Sequence, residues 1–103
     1  MKLKTDKKIN VEKGMWNFSG NVPINFVNHA KKSIPHYEEN HKLILDYCDF
    51  FCKKNSPIYE LGSSTGELAF KFYSRFKNKN IKYYGLDVEL AMTKYSQNKL
   101  DKH

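Results

Sequence analysis

The sequence predicts an α/β fold, a parallel sheet with helices on its faces, and three observations carry that expectation. Apolar periodicity alternates between helical spacing and short buried runs, in the order helix, strand, helix, strand, helix. A loop of glycine and serine separates the first strand from the next helix, in YELGSSTGEL from Tyr59 to Leu68. A second apolar run, in YYGLDVE from Tyr83 to Glu89, ends in an acid. Strands and helices alternating at this spacing call for right-handed crossovers and parallel pairing, the nucleotide-binding α/β arrangement.

Taken in order, residues 1–14 are basic and polar and are expected to form a mobile tail outside the fold. A flap follows over 15–37, with turn signals from Gly20 to Pro23. It then has a short helix carrying Ile24, Val27 and Ala30 on one side, stopped before Pro35. From 38 to 53 a stronger helix places Ile44, Tyr47, Cys48 and Phe51 at i, i+3, i+4 and i+7, which predicts its inward face. The break Asn55-Ser56-Pro57 ends it, and Ile58 to Leu61 reads as a buried strand. Ser64 with Glu67 three residues on predicts a capping box, so that the next helix starts inside the loop and shows Ala69, Phe72, Tyr73 and Phe76 to the core. Ile81 to Leu86 is the second strand, and a helix from Glu89 to about Leu100 turns Ala91, Met92 and Tyr95 inward. Residues 15–103 thus make one domain, a flap over 15–37 and then a helix plus two βα units over 38–103.

With 103 residues the chain has room for one domain and little core to spare. A hydrophobic content of 40% argues against wholesale disorder. The formal net charge of +7 is spread over scattered lysines, which fits a solvated surface better than a nucleic-acid patch, although RNA stays open as a partner. No apolar run approaches the roughly 18 residues of a membrane span, and MKLKTDKKIN has no apolar core of a signal peptide, so a cytoplasmic protein is expected. Cys48 and Cys52 lie on one helix face, which suits free thiols and offers too few ligands for a metal.

The chemistry sits at the carboxyl ends of the two strands, where ligands bind in such sheets. Gly62 and Gly66 permit positive φ and remove the Cβ atoms that would keep a ligand from the backbone. Asp87, 21 residues after Gly66, is placed to accept hydrogen bonds from two ribose hydroxyls. Dinucleotide loops read G-x-G-x-x-G around a pyrophosphate, but here Ser64 replaces the middle glycine and Glu60 stands two residues ahead of the loop. An acid there suits a ligand carrying an ammonium and a sulfonium, and S-adenosylmethionine fits both ends.

Glu60-x-Gly62-x-x-x-Gly66 and the acid-ended second strand resemble motifs I and II of class I S-adenosylmethionine-dependent methyltransferases. The nearer likeness is to their carboxy-S-adenosylmethionine synthase branch, which acts in tRNA wobble-uridine modification. That branch looks like W-x-F, a short helix, S-V-P-x-Y, a helix, Y-D-L-G-x-S-x-G, and a strand ending in I-D-x-S-x-A-M. This chain has Trp16-Asn17-Phe18, Ser33-Ile34-Pro35-His36-Tyr37, Tyr59-Glu60-Leu61-Gly62-Ser63-Ser64-Thr65-Gly66 and Leu86-Asp87-Val88-Glu89-Leu90-Ala91-Met92, in register without a gap. The resemblance implies a Rossmann-like class I methyltransferase fold with S-adenosylmethionine as cofactor. It further implies contact from Tyr37 in the flap, a methionine site at Gly62, Ser63 and Ser64, and a ribose and adenine edge at Asp87 and Val88. Glu60 stands in place of the family's Asp, Val88 where a polar residue is common, and His36 reads as a loop histidine.

A class I sheet resembles a seven-stranded one, whereas this sequence carries the N-terminal helices and the first two βα units. The segment that reads adenine, the strand that shapes the reaction pocket and the arginine that grips the transferred carboxylate have no counterpart, so no residue is assigned as catalytic. The expectation is a truncated or split S-adenosylmethionine-binding half, completed by a second chain or by a homo-oligomer, with a non-catalytic binding or interaction module as the alternative. Two parallel strands cannot occupy three apolar helix faces, which predicts an open sheet edge and self-association.

Overall fold

The computed structural model of the chain describes residues 10–12, 15–17 and 22–102. Most of the expected tail, together with Phe18 and the turn at Gly20, lies outside the described residues. Within the stretch assigned to that tail, Asn10–Glu12 forms β1 and pairs antiparallel with β2, Met15–Asn17, so that Val11 faces Trp16 across the ladder. Helices α1 (Val22–Ser33) and α2 (Tyr37–Phe51) follow, then β3 (Pro57–Leu61), α3 (Glu67–Arg75), β4 (Lys82–Leu86) and α4 (Leu90–Leu100). The domain is a mixed helix and strand structure with a small parallel sheet. Among the described residues no helix is long and apolar enough to cross a membrane.

Local chemistry sets the breaks. Pro23 falls in the first turn of α1, where its missing N–H costs nothing, and Pro35 ends the helical run by disfavouring αR at Ile34. His36 reverses the chain in the left-handed region at φ 56°, and α2 starts at the next residue. Lys31 and Lys32 close α1 while Glu38 and Glu39 open α2, each set matching its end of the helix dipole. Asn55 and Asn80, both at positive φ, flank the sheet, and the Asn80 amide donates to Asn55 Oδ1 at 3.1 Å.

β3 and β4 pair in parallel with Ile58 beside Tyr83, Tyr59 beside Tyr84, Glu60 beside Gly85 and Leu61 beside Leu86. One face is covered: Leu45 of α2, Phe72 and Phe76 of α3 and Ile81 form the core, with Cys48, Cys52, Ile58, Leu68 and Tyr83 packed against it. Among the described residues no element covers the opposite face. Tyr59 and Tyr84 stack there with ring centroids 5.1 Å apart, and Tyr59 is 64% and Leu61 82% exposed.

Three local expectations are corrected. The inward face of α2 is not Ile44, Tyr47 and Phe51, which are exposed, but the side bearing Leu45 and Cys48. Apolar residues surround this helix, from Leu43 to Phe51, so spacing alone leaves its rotation undetermined. Charge supplies the missing constraint: Arg75 of α3 grips Asp46 at 2.8 Å and also Asp49, one turn apart on α2. The capping box also fails. Gly66, at φ 75°, is the N-cap of α3, and Ser64 lies two residues earlier in the loop with φ 52°. The strand read as buried, Ile58 to Leu61, buries one face only, because its other face has no layer against it and leaves Tyr59 and Leu61 exposed; Ala69, Phe72, Phe76 and Met92 are buried as expected, whereas Tyr73 is exposed.

Candidate functional site

The carboxyl ends of β3 and β4 meet at the loop 62–66. Gly62 and Ser63 both donate their N–H to the Leu86 carbonyl, at 2.7 and 2.9 Å, and Gly66 closes a turn onto the Ser63 carbonyl at 3.0 Å. Asp87, the next residue after β4, accepts the Ser64 N–H on Oδ2 at 2.8 Å and the Glu89 N–H on Oδ1 at 2.9 Å. One carboxylate thus ties the loop after β3 to the start of α4. Each of its oxygens keeps a lone pair for a further donor.

The glycines divide the work. At Gly62, φ 73°, an added Cβ would meet nothing within 4 Å, so the loop is open on that side. At Gly66 it would lie 2.9 Å from Ser96 Oγ, so this glycine lets α4 pack against the loop. A third glycine escaped the sequence reading. A Cβ on Gly85 would fall 2.8 Å from Ser63 Cβ, and its absence is what lets Ser63 bury its side chain over β4. The signal was a glycine inside a strand, which marks close approach of another chain segment.

Glu60 points to the covered side, where the Tyr83 hydroxyl donates to its Oε2 at 2.5 Å. Burial pushes the Glu60 carboxyl above its ordinary range, the Tyr83 hydrogen bond draws it back, and nearby Asp87 raises it further. Burial, then the hydrogen bond and charge of Glu60, push the Tyr83 phenol well up in turn. Tyr83 is the second residue that sequence reading missed; it stands two residues before Gly85, hence on the same face as Glu60.

Tyr37 opens α2 with its ring 4.4 Å from that of His41. Burial, then the carboxylates of Glu67, Glu38 and Glu60, push its phenol up to about 12. Ser64 donates its hydroxyl to Met92 Sδ at 3.9 Å. Val88 is fully exposed beyond Asp87. Thr65 is 1% exposed, and its Oγ1 is buried without a hydrogen-bond partner among the described residues.

A cavity of about 220 Å³ runs under the loop, lined among others by Ser63, Gly66, Tyr83, Gly85 and Ser96. It is smaller than the roughly 300 Å³ at which ligand pockets begin. A larger groove of about 690 Å³, bounded by Phe70, Tyr73, Ser74, Lys77 and Leu100, lies along α3 and the end of α4 and includes none of the loop residues. What converges at the strand ends is therefore an open cradle: backbone of a glycine loop, a carboxylate with lone pairs to spare and a second, half-buried carboxylate. Such a set attracts a cation and holds hydroxyl groups. Among the described residues it brings no serine, threonine or cysteine into hydrogen-bond contact with a side-chain base.

No protein-family model matches the chain. Curated proteins do. The carboxy-S-adenosyl-L-methionine synthase of Staphylococcus epidermidis is 36% identical over 87 residues, 84% of this chain and 38% of that protein. Those of Campylobacter lari and Nautilia profundicola are each 33% identical, over 80% and 91% of this chain and 34% and 40% of theirs. The chain spans well under half the length of these relatives. Over most of its own length it is thus a relative of the carboxy-S-adenosyl-L-methionine synthases, and the share of them that it covers fits an N-terminal half only.

Proposed function

We propose that the chain binds S-adenosylmethionine at the carboxyl ends of β3 and β4 and supplies the cofactor-binding half of a carboxy-S-adenosylmethionine synthase or methyltransferase site. The methionine moiety lies along Gly62, Ser63 and Ser64, near Glu60 and under Tyr37. The ribose hydroxyls take the free lone pairs of Asp87, and the adenine edge passes Val88. Gly66 keeps the loop close to α4. The observation that carries this reading is the bond from the Ser64 N–H to Asp87 Oδ2, which fixes the glycine loop and the ribose acid at one place. A pyrophosphate is disfavoured there, because Glu60 and Asp87 put two carboxylates beside the loop.

The surrounding architecture is proposed to be a Rossmann-like class I sheet over 15–103, completed by further α/β polypeptide, either a second chain or another copy of this one. Catalytic alignment of the methyl or carboxyl group belongs to that completing part. A cytoplasmic location goes with the unbridged thiols Cys48 and Cys52. The bare face with Tyr59, Leu61, Tyr84 and Leu86 also favours a second reading, a non-catalytic module that binds the nucleoside and a protein partner.

Isothermal titration tests the cofactor. S-adenosylmethionine and S-adenosylhomocysteine bind, and NAD does not; tighter binding of NAD than of S-adenosylhomocysteine overturns the assignment. Gain of transferase activity on mixing with the C-terminal part of a carboxy-S-adenosylmethionine synthase separates the enzyme half from the non-catalytic module.

A further inference from the structure

Outside the cradle, the first turn of α2 is held by a lysine on α3. Lys71 Nζ donates to Glu38 Oε2 at 2.6 Å and to His41 Nδ1 at 2.9 Å, and it lies 5.6 Å from the centroid of the Tyr37 ring. Glu67, one turn earlier on α3, stands 4.0 Å from Lys71 and takes Lys99 of α4 at 2.5 Å. Lys31 of α1 reaches the other oxygen of Glu38 at 3.0 Å. The result is an alternating series, Lys31, Glu38, Lys71, Glu67, Lys99, that crosses all four helices.

Lone surface ion pairs contribute little, because water screens them and two long side chains must be ordered. Lys71 differs in three respects. Its side chain is 23% exposed, in the middle of a network rather than an isolated pair. It directs donors to two different acceptors and faces a third. Both acceptors belong to the turn that carries Tyr37, while Lys71 itself is on the helix that starts at the glycine loop. An ammonium has no acceptor, so His41 must present a bare Nδ1 and carry its proton on Nε2.

We propose that Lys71 is a positioning residue for the cofactor site, a latch that docks the first turn of α2 on α3 and so fixes Tyr37 in the orientation from which it contacts the cofactor. The role rests on the assignment of Tyr37 as a cofactor contact. Lys71 touches no ligand and acts through Tyr37 alone.

Two measurements on the full chain test it. Hydrogen exchange of the amides of residues 39–42 needs no ligand: Lys71→Met should lower their protection about tenfold relative to the rest of α2, and Lys71→Arg should restore part of it. Titration with S-adenosylhomocysteine then completes a double-mutant cycle. Lys71→Met weakens binding about fivefold to tenfold in the parent and less than twofold in a Tyr37→Ala background, the signature of coupled residues. Unchanged protection in Lys71→Met, or an equal loss of affinity in both backgrounds, overturns the latch while leaving the cofactor assignment standing. Absence of S-adenosylhomocysteine binding by the unaltered chain overturns that assignment, and the positioning role with it.

Discussion

Asp87 accepts the Ser64 amide at 2.8 Å and the Glu89 amide at 2.9 Å, so the acid at the end of β4 is part of the loop's own structure as well as a candidate ribose acceptor. The two roles separate on mutation. Asp87→Ala leaves two loop amides without acceptors and should weaken S-adenosylhomocysteine binding by about 1.5 to 3 kcal/mol, the range for hydrogen bonds to a charged group. Asp87→Asn keeps one carbonyl acceptor and should recover more thermal stability than affinity. Parent-like affinity in Asp87→Ala would remove the ribose assignment.

Gly85 and Ser63 form a lock of backbone against side chain. Gly85→Ala puts a methyl 2.8 Å from Ser63 Cβ and Oγ and should cost about 1 to 3 kcal/mol by overpacking. In a Ser63→Gly background the same change should cost much less. Chemical denaturation of the four proteins reads the coupling, and strictly additive costs would show that the two residues do not compete for one space.

Gly62→Val should behave in the opposite way. Nothing of the protein stands within 4 Å of the new Cβ, so any loss of fold stability comes from the positive φ alone. Ligand affinity should disappear because the side chain fills the cradle. Retained affinity in this variant would place the cofactor elsewhere.

The Glu60 carboxyl, held above its ordinary 4.5 chiefly by burial, must be ionised to attract a cationic ligand. Affinity for S-adenosylmethionine should therefore fall as pH drops through that raised value. Tyr83→Phe removes the hydrogen bond that draws it down, so the fall should begin at higher pH than in the parent. For stability the sign is reversed: a raised carboxyl costs stability when ionised and returns it as pH falls toward 4.5. Titration calorimetry from pH 5 to 8 checks the first point; an identical pH midpoint in Tyr83→Phe would refute it.

Self-association is the fifth expectation. Leu61 and Tyr59 stand on a sheet face that parallel strands normally bury. Sedimentation velocity at micromolar concentration should show a dimer or larger assembly, and Leu61→Glu should shift it toward monomer. A monodisperse parent monomer with a cooperative thermal transition would mean that the pair of strands is self-sufficient.

Much of this architecture was legible because its signals are local. Pro35, Asn55 and Pro57 punctuate the chain, and the run from Gly62 to Gly66 between two apolar segments marks the loop. Side-chain rotation was less legible. The face of α2 is chosen by Arg75 reaching Asp46 and Asp49, a pairing between helices that no periodicity reveals when Leu43, Ile44, Tyr47 and Phe50 surround the axis. Ser64 and Glu67 satisfied the spacing of a cap, but the Ser64 amide was drawn to Asp87 and the Glu67 carboxylate to Lys99, partners remote in sequence. For the same reason Tyr83, Gly85 and Thr65 emerged only with the fold. Their significance lies in what β3 and its loop place beside them.

The covered side of the sheet has a kinetic corollary. Leu45 comes from α2, Phe72 and Phe76 from α3 and its C-terminal end, and Ile81 from the entry to β4, so the nucleus closes within one continuous stretch of chain. The same closure orders Tyr59, Tyr84, Leu61 and Leu86 on the reverse side, a formed surface of aromatic and aliphatic side chains. Docking of any partner onto such a preformed surface loses less conformational entropy than mutual folding of two disordered pieces.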